Sequence, residues 1–271
     1  MSLWIKICGN TSLADALVAA GIGAPTDRSS SVGWKNGADA LGFVFAPSPR
    51  RVTPEQAAEM VRGLPAAIEK IGVFVEASFD EIAATVATAG LTGVQLHWPA
   101  PAELTEHLRA RFGTGLRILR VVHFGDASAA HPAMQRGFAS SENLFPEGQE
   151  VSGHGLSRAG HAQKDEGALA PAAGLFDSNA DAILVDARVA GAAGGTGKSY
   201  DWAKARQALF GSAKGIKFVA AGGLSPENLA EAIRTLRPWG VDAVSGVEAA
   251  PGRKDAAKVR AFIERARAAE D

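Results

Sequence analysis

The sequence has little of several things that would point to other classes of protein. It has one cysteine in 271 residues, so it cannot form an internal disulfide. Its 28 basic and 29 acidic residues nearly cancel, which argues against nucleic acid or an anionic membrane as a partner. It opens on a strand-like segment instead of a secretion signal, and it lacks the apolar run of about 20 residues that a membrane helix needs. These absences predict a soluble protein of the cytoplasm.

The sequence does contain a regular alternation of short apolar runs and amphipathic stretches. With 46% hydrophobic residues, the chain can bury one large core, either as a single barrel or as two ordinary domains. The runs read as strands at 3–7, 40–45, 70–75, 93–96, 116–122, 182–185, 217–221 and 242–245. Eight strands that alternate with helices favour parallel pairing and a closed (β/α)8 TIM barrel over residues 1–271. A doubly wound open sheet is the structural alternative.

The amphipathic stretches carry helix start signals. Helices are expected over 53–64, 78–90, 101–113 and 225–236. In the last of these, Ser225 can cap the first amides and Pro226 suits the first helical position.

Two segments interrupt the alternation. Residues 21–36 separate the first helix from the second strand without apolar periodicity, and residues 124–179 do the same between the fifth and sixth strands. We expect both to be insertions into the barrel. A long aperiodic segment in a compact domain is usually a lid, a protrusion or partly disordered chain, and partial disorder is the preferred expectation.

The lone cysteine lies at the end of the first strand. Side-chain alternation places Trp4, Lys6 and Cys8 on one side of residues 3–8 and the aliphatic residues on the other. The first set is expected to face the barrel interior, with Cys8 at the carboxyl end where barrel enzymes build their sites. Cys8 is either a buried structural residue or a reactive thiol whose ionised form the Lys6 ammonium favours.

Asp186 closes "AILVD", directly after four apolar strand residues. It could cap a turn, or it could be a catalytic carboxyl. In a closed barrel the carboxyl ends of the first and sixth strands face one another across the mouth. A thiol and a carboxyl could then reach one small substrate from two sides, as an acid–base pair requires.

Other candidates also follow predicted strands. The glycine-rich loops over 220–228 and 245–255 come after the seventh and eighth strands, the usual phosphate site of barrels, although ordinary turns are the alternative. Arg50 follows the second strand and could hold a carboxylate through two hydrogen bonds. His97 and His123, which end the fourth and fifth strands, could be acid–base groups, but hydrogen-bonded rim residues are preferred.

Two cofactor classes are disfavoured. The stretch "AAGGTGKS" at 192–199 resembles a phosphate-binding loop of NTPases, but the glycine that should lie five positions before Gly197 is Ala192. Zinc is not expected, because the histidines show no ligand spacing and one cysteine offers no thiolate cluster.

Taken together, the motifs resemble those of the phosphoribosylanthranilate isomerase family. Any one of them is weak, but their order along the chain is specific. They are "KICG" at 6–9, "GADALGFVF" at 37–45 with "SPR" at 48–50, "GVF" at 72–74, "VQLH" at 94–97, "VDA" at 185–187 with "GGTGKSYDW" at 194–202, "AGGLSPEN" at 221–228 and "SGVEAAPGRKD" at 245–255.

The resemblance implies a cofactor-free isomerase of tryptophan biosynthesis that acts on a phosphosugar, as a monomer or homodimer. Carried over by motif, Cys8 is the general base, Asp186 the general acid, and Arg50 faces the anthranilate carboxylate. His97 is placed among the substrate-binding residues. The phosphate site maps onto Gly222, Gly223, Ser245 and Gly246. For this chemistry the site must favour the thiolate of Cys8 and keep Asp186 protonated, so opposite pKa shifts are expected.

The chain also departs from the family pattern. Trp98 stands where glycine usually follows "VQLH", which adds bulk near the rim, and both insertions are longer than usual. Two further functions stay open at this point. A related histidine-pathway isomerase should carry acidic residues where this chain has Cys8 and His123. A non-catalytic barrel that binds other tryptophan enzymes would not need the Cys8 and Asp186 pair.

Overall fold

Eight parallel strands close into a barrel. The computed structural model describes residues 2–22, 37–123, 179–186, 202–206 and 215–269. Each strand pairs with its neighbour in sequence, and β8 returns to β1. The strands are β1 (Trp4–Ile7), β2 (Ala40–Val44), β3 (Glu69–Phe74), β4 (Gly93–Leu96), β5 (Arg117–His123), β6 (Ala182–Asp186), β7 (Phe218–Ala221) and β8 (Gly240–Ala243). The predicted (β/α)8 fold class is confirmed, and the open sheet is excluded.

Helices surround the barrel, and a short hairpin follows β8. The helices are α1 (Leu13–Ala19), α2 (Pro54–Arg62), α3 (Phe79–Ala89), α4 (Ala102–Phe112), α5 (Trp202–Ala205), α6 (Leu229–Leu236) and α7 (Ala256–Ala268). The hairpin consists of β9 (Glu248–Ala250) and β10 (Arg253–Lys254). Helices α2 and α3 begin at reciprocal capping boxes, in which Thr53 pairs with Gln56 and Ser78 with Glu81.

The two faces of β1 pack as the alternation predicts. Leu3, Ile5 and Ile7 belong to the outer core, which the helices cover. Trp4 belongs to a second cluster of inward-facing residues from β2, β3, β5, β6 and β7. Lys6 is on the Trp4 side and fully buried in the barrel interior. The interior is therefore apolar at its amino end and polar toward its carboxyl end.

Aromatic rings and a cation close the amino end of the barrel. Trp4 and Trp239 stack with ring centroids 5.2 Å apart. The Arg117 guanidinium lies 5.9 Å from the Trp4 centroid and 5.5 Å from that of Trp239. Its Nε and Nη2 atoms donate to Glu69 at 2.5 and 2.7 Å. These contacts stabilise the amino end of the barrel, which lies opposite the mouth where barrel enzymes build their active sites.

Two element boundaries differ from the prediction. The eighth strand was expected over 242–245 but runs over Gly240–Ala243, where it pairs residue by residue with β1. The helix expected over 225–236 begins only at Leu229. Ser225 does not cap it, because the Ser225 N–H donates to the Asn228 side chain and these residues form a turn.

The two expected insertions lie almost entirely outside the described residues. Only Gly21, Ile22 and Asn179 of them are described. Among the helices in the described ranges, none has the length and apolarity to cross a membrane.

Arg117→Ala should lower the free energy of unfolding by about 1–2 kcal/mol. The side chain is one-quarter exposed, so its ion pair contributes little and its ring contacts add a comparable amount. Chemical denaturation of the purified protein would measure the change. Arg111→Ala is the control, because Arg111 is exposed and its guanidinium lies 5.1 Å from the centroid of the neighbouring Phe112 ring, away from the amino-end cluster. Equal losses in the two variants would contradict the role given to the amino-end cluster.

Candidate active site

The structure places four candidate side chains at the carboxyl ends of barrel strands. Cys8 directly follows β1, and His97 directly follows β4. His123 and Asp186 are the last residues of β5 and β6, and they are paired in register. All parallel strands of a barrel end on the same side, so these groups share one mouth.

The Cys8 thiol is enclosed by its neighbours. The residue is 4% exposed. A Cβ atom at Gly42 on β2 would overlap Sγ of Cys8, so only glycine leaves room for the thiol there. The Lys254 ammonium donates to the Cys8 carbonyl oxygen at 2.6 Å. Cys8 is thus held at both its backbone and its sulfur.

The expected lowering of the Cys8 pKa is wrong. Burial raises the pKa of the Cys8 thiol, and the Asp242 carboxylate adds to the rise. Charge interactions with Lys6 and Lys254 oppose that rise but do not overcome it. Lys6 does act in the expected direction, and the desolvation of the thiolate outweighs it. The expectation for Asp186 stays a prediction.

A buried polar cluster lies beneath the thiol. Lys6 Nζ donates to Asp242 Oδ2 on β8 and to Gln95 Oε1 on β4, each at 2.8 Å. Burial alone would lower the pKa of Lys6, but the Asp242 carboxylate and the Cys8 thiol raise it. Lys6 therefore stays charged inside the barrel. Asp242 also interacts electrostatically with Asp186, so it is coupled to both candidate catalytic groups.

Two imidazole rings surround the Asp186 carboxyl. The distance from His97 Nε2 to Asp186 Oδ2 is 3.6 Å, and that from His123 Nδ1 is 4.0 Å. The rings of His97 and His123 meet edge to face, with centroids 5.2 Å apart. Potential ligand atoms of the three residues lie within 4.8 Å of one another, so this trio could hold a divalent transition metal after small movements. The histidine spacing in the sequence did not reveal this arrangement.

Arg50 has a partner that the sequence did not predict. Its Nε and Nη2 atoms donate to the Glu248 carboxylate at 2.8 and 2.6 Å. Lys254 Nζ lies 3.3 Å from the same carboxylate. Burial would raise the pKa of Glu248, but these two cations hold it below its usual value. The available sequence signal was that Glu248 is the first acidic residue of "SGVEAAPGRKD".

The loops after β7 and β8 meet at the mouth. Gly222 and Gly223 have φ angles of 85° and 68°, in the left-handed region that favours glycine. A Cβ atom at Gly246 would overlap the carbonyl of Leu224, so the two loops touch through backbone. Ser245 and Gly246 begin a short 3₁₀ helix, Ser245–Val247.

Their amide groups are available for an anion. Among the described residues, the N–H groups of Gly222, Gly223, Ser245 and Gly246 donate to no other group. Asn228 braces the first loop, because its side chain accepts from the Ser225 N–H and donates to the Gly223 carbonyl. Backbone N–H groups fixed in this way can bind a phosphate.

Trp98 and the glycine-rich stretch 192–199 are the two remaining features of the sequence analysis. Trp98 directly follows His97, is half-buried and packs against the outer core, and the expectation that it adds bulk near the rim stays a prediction. The glycine-rich stretch 192–199 lies outside the described residues.

Comparison with known proteins gives a consistent family. The family model for N-(5'phosphoribosyl)anthranilate (PRA) isomerase matches residues 19–160 and 170–265. The N-(5'-phosphoribosyl)anthranilate isomerase of Pelobacter propionicus is 36% identical over 260 residues, which cover 96% of this chain and 93% of the relative.

Solved structures agree with the sequence match. The phosphoribosyl anthranilate isomerase of Thermotoga maritima aligns with a TM-score of 0.66 at 28% identity, covering 98% of this chain and 99% of that one. A phosphoribosyl anthranilate isomerase in complex with reduced 1-(o-carboxyphenylamino)-1-deoxyribulose 5-phosphate aligns with a TM-score of 0.63 at 27% identity, with the same coverage.

These matches decide against the NTPase and histidine-pathway alternatives. The chain belongs to the N-(5'-phosphoribosyl)anthranilate isomerase family, and it catalyses the Amadori rearrangement of N-(5-phosphoribosyl)anthranilate in tryptophan biosynthesis.

Proposed function

We propose that Cys8 is the general base and Asp186 the general acid of this isomerisation. The observation that carries the proposal is their placement at the ends of β1 and β6 of one closed barrel, with Asp242 coupled to both. A thiol and a carboxyl so placed can handle two protons of one small substrate.

The proposed reaction needs two proton transfers at neighbouring atoms. Asp186 gives its proton to the furanose oxygen as the bond from that oxygen to C1′ breaks. The substrate nitrogen supplies the electron pair for the resulting C=N bond, and the protonated Schiff base makes the C2′ proton acidic. Cys8 thiolate then removes that proton, and the enolamine formed tautomerises to the ketone. At this point Asp186 has lost a proton and Cys8 has gained one. Later steps must therefore return a proton to Asp186 and remove one from Cys8.

The raised pKa of Cys8 has two opposing effects on this step. A thiolate with a high pKa is a stronger base, but fewer molecules carry it at neutral pH. Lys6 and Lys254 keep the shift smaller than burial alone would make it. In this proposal, Lys6 and Lys254 limit the rise in the Cys8 pKa, so that the thiolate can still form for the reaction.

The two substrate anions are proposed to bind separate groups at the mouth. The phosphate takes the amides of Gly222, Gly223, Ser245 and Gly246. Arg50 faces the anthranilate carboxylate with Nη1, while Glu248 holds the other edge of its guanidinium. Support comes from the free amide groups in the described loops and from the fixed orientation of the guanidinium.

His97 is proposed to assist at the Asp186 side of the substrate. This differs from direct binding of the substrate anions, because its Nε2 points toward the Asp186 carboxyl at 3.6 Å.

The setting of the enzyme is also a proposal. We place it in the cytoplasm, as a single barrel domain over residues 1–271 with inserted segments. It needs no cofactor and no nucleic acid partner, which is consistent with its single cysteine and near-zero net charge of −1. A monomer or homodimer is expected, and a Thermotoga maritima relative is described as dimeric.

The ionisation of Cys8 can be followed alone, because it is the sole cysteine. Burial raises the pKa of its thiol, so the thiolate should appear only above the pH at which an exposed thiol ionises. We expect the ultraviolet difference between wild type and Cys8→Ser to rise with a midpoint above that of glutathione in the same buffer. The value of kcat/KM should rise over the same range. A midpoint at or below that of glutathione would contradict the effect of burial.

Cys8→Ser should reduce kcat by about 10²–10⁴-fold, because a hydroxyl is a far weaker base than a thiolate at the same position. The fall in substrate fluorescence on conversion of freshly made N-(5-phosphoribosyl)anthranilate would measure it. Inorganic phosphate should protect the variant against thermal unfolding as it does the wild type. A near-native rate would remove Cys8 from the mechanism.

Asp186→Asn should reduce kcat by a comparable factor of about 10²–10⁴, since an amide cannot give the ring-oxygen proton as an acid. The same fluorescence assay applies. Asp181→Asn is the matched control, because Asp181 precedes β6 at the amino end of the barrel and pairs with Arg109 there. If Asp186→Asn turned over like that control, the general acid would have to be another group.

A further inference from the structure

A continuous row of polar groups runs across the barrel interior from Lys6 to Asp186. Lys6 Nζ lies 2.8 Å from Gln95 Oε1, and Gln95 Nε2 lies 3.1 Å from His97 Nδ1. His97 Nε2 lies 3.6 Å from Asp186 Oδ2. Lys6 is fully buried, and Gln95 is 3% exposed. The roles proposed for Cys8 and Asp186 do not explain why the Gln95 amide connects Lys6 to His97.

The chemistry of the donors determines which way the Gln95 amide points. A lysine ammonium has only hydrogen atoms to give, so the group that faces Lys6 must be the amide oxygen. The amide nitrogen therefore faces His97, and an amide nitrogen can only donate. Its acceptor is His97 Nδ1, which must present a lone pair at that position.

The orientation of the amide then determines the state of the His97 ring. A neutral imidazole with its lone pair on Nδ1 carries its proton on Nε2. Protonation of Nδ1 would set two N–H donors against each other at 3.1 Å. The Nε2–H group points at the Asp186 carboxyl. A contraction of a few tenths of an ångström from 3.6 Å makes this a hydrogen bond, and catalytic hydrogen bonds tighten in this way when substrate binds.

We propose that Gln95 is a positioning residue that holds His97 as its neutral Nε2–H tautomer, so that His97 donates to the Asp186 carboxylate left after proton transfer. This inference rests on the general-acid role proposed for Asp186. In this arrangement His97 stabilises the negative charge that develops on Asp186 and fixes the carboxyl in place. It neither gives nor takes the substrate proton.

Gln95→Glu separates this role from a merely structural one. The new carboxylate still accepts from Lys6, so the buried ammonium keeps a partner. It cannot donate to His97 Nδ1, and it attracts a proton to that nitrogen instead. The ring then carries its proton on Nδ1 and turns the lone pair of Nε2 toward Asp186. We expect kcat to fall roughly 10–100-fold, as for other lost orienting partners, with KM within about threefold of wild type.

Gln56→Glu is the matched control. Gln56 lies in the exposed capping box of α2, where glutamate can make the same contact with the Thr53 N–H. This variant makes the same chemical change far from the mouth, so its kcat should equal that of wild type.

The tautomer itself can be measured without any change at Gln95. Nitrogen-15 NMR of ring-labelled wild-type protein should show His97 with a protonated Nε2 and an unprotonated Nδ1 at neutral pH. The signals of the six histidines are distinguished by comparison with His97→Gln. In Gln95→Glu the pattern should change to a protonated Nδ1. A wild-type His97 protonated at Nδ1 would overturn the proposal, even if the glutamate variant failed to fold.

The outcomes also distinguish this inference from the function on which it rests. If Asp186→Asn is inactive while Gln95→Glu keeps a wild-type kcat, the positioning role is wrong and the general acid stands. If Asp186→Asn stays active, the general-acid assignment fails, and the positioning role fails with it whatever the NMR shows.

Discussion

The active end of this barrel depends on one buried ammonium group. Lys6 is fully buried, and moving a charge out of water is costly unless partners compensate for it. Its hydrogen bonds reach β8 through Asp242 and β4 through Gln95, so strands on different sides of the barrel are tied to β1. The same charge opposes the desolvation of the Cys8 thiolate. Removing it would take a hydrogen-bond donor from the buried Asp242 carboxylate and from the Gln95 amide oxygen.

The second cation near Cys8 joins the end of β1 to the loop that follows β8. Lys254 donates to the Cys8 carbonyl and also lies against Glu248, which in turn holds Arg50. The base and the proposed carboxylate-binding arginine are therefore parts of one charged network. The positive charges of the lysines do not fully offset the desolvation of the Cys8 thiolate, since the pKa of Cys8 remains above its usual value. The raised pKa makes the thiolate a stronger base but lowers the fraction of molecules that carry it at neutral pH.

Much of the fold could be predicted because its signals are local. Apolar runs located all eight strands, and side-chain alternation placed Lys6 inside and Ile5 outside. The eighth strand was predicted two residues too late, at 242–245 instead of Gly240–Ala243. Its position is decided by pairing with β1. The start of α6 was wrong for a similar reason, since Asn228 braces a turn where Ser225 looked like a cap.

The sequence by itself determined the number of strands, the family, and the presence of a thiol and a carboxyl at strand ends. Only the tertiary structure decided the partner of Arg50, the direction of the Cys8 pKa shift and the orientation of the Gln95 amide. The physical reason is that these properties depend on distances between strands far apart in the chain. Lys6 and Asp242, for instance, are separated by 236 positions yet meet at 2.8 Å, and no local pattern encodes that contact.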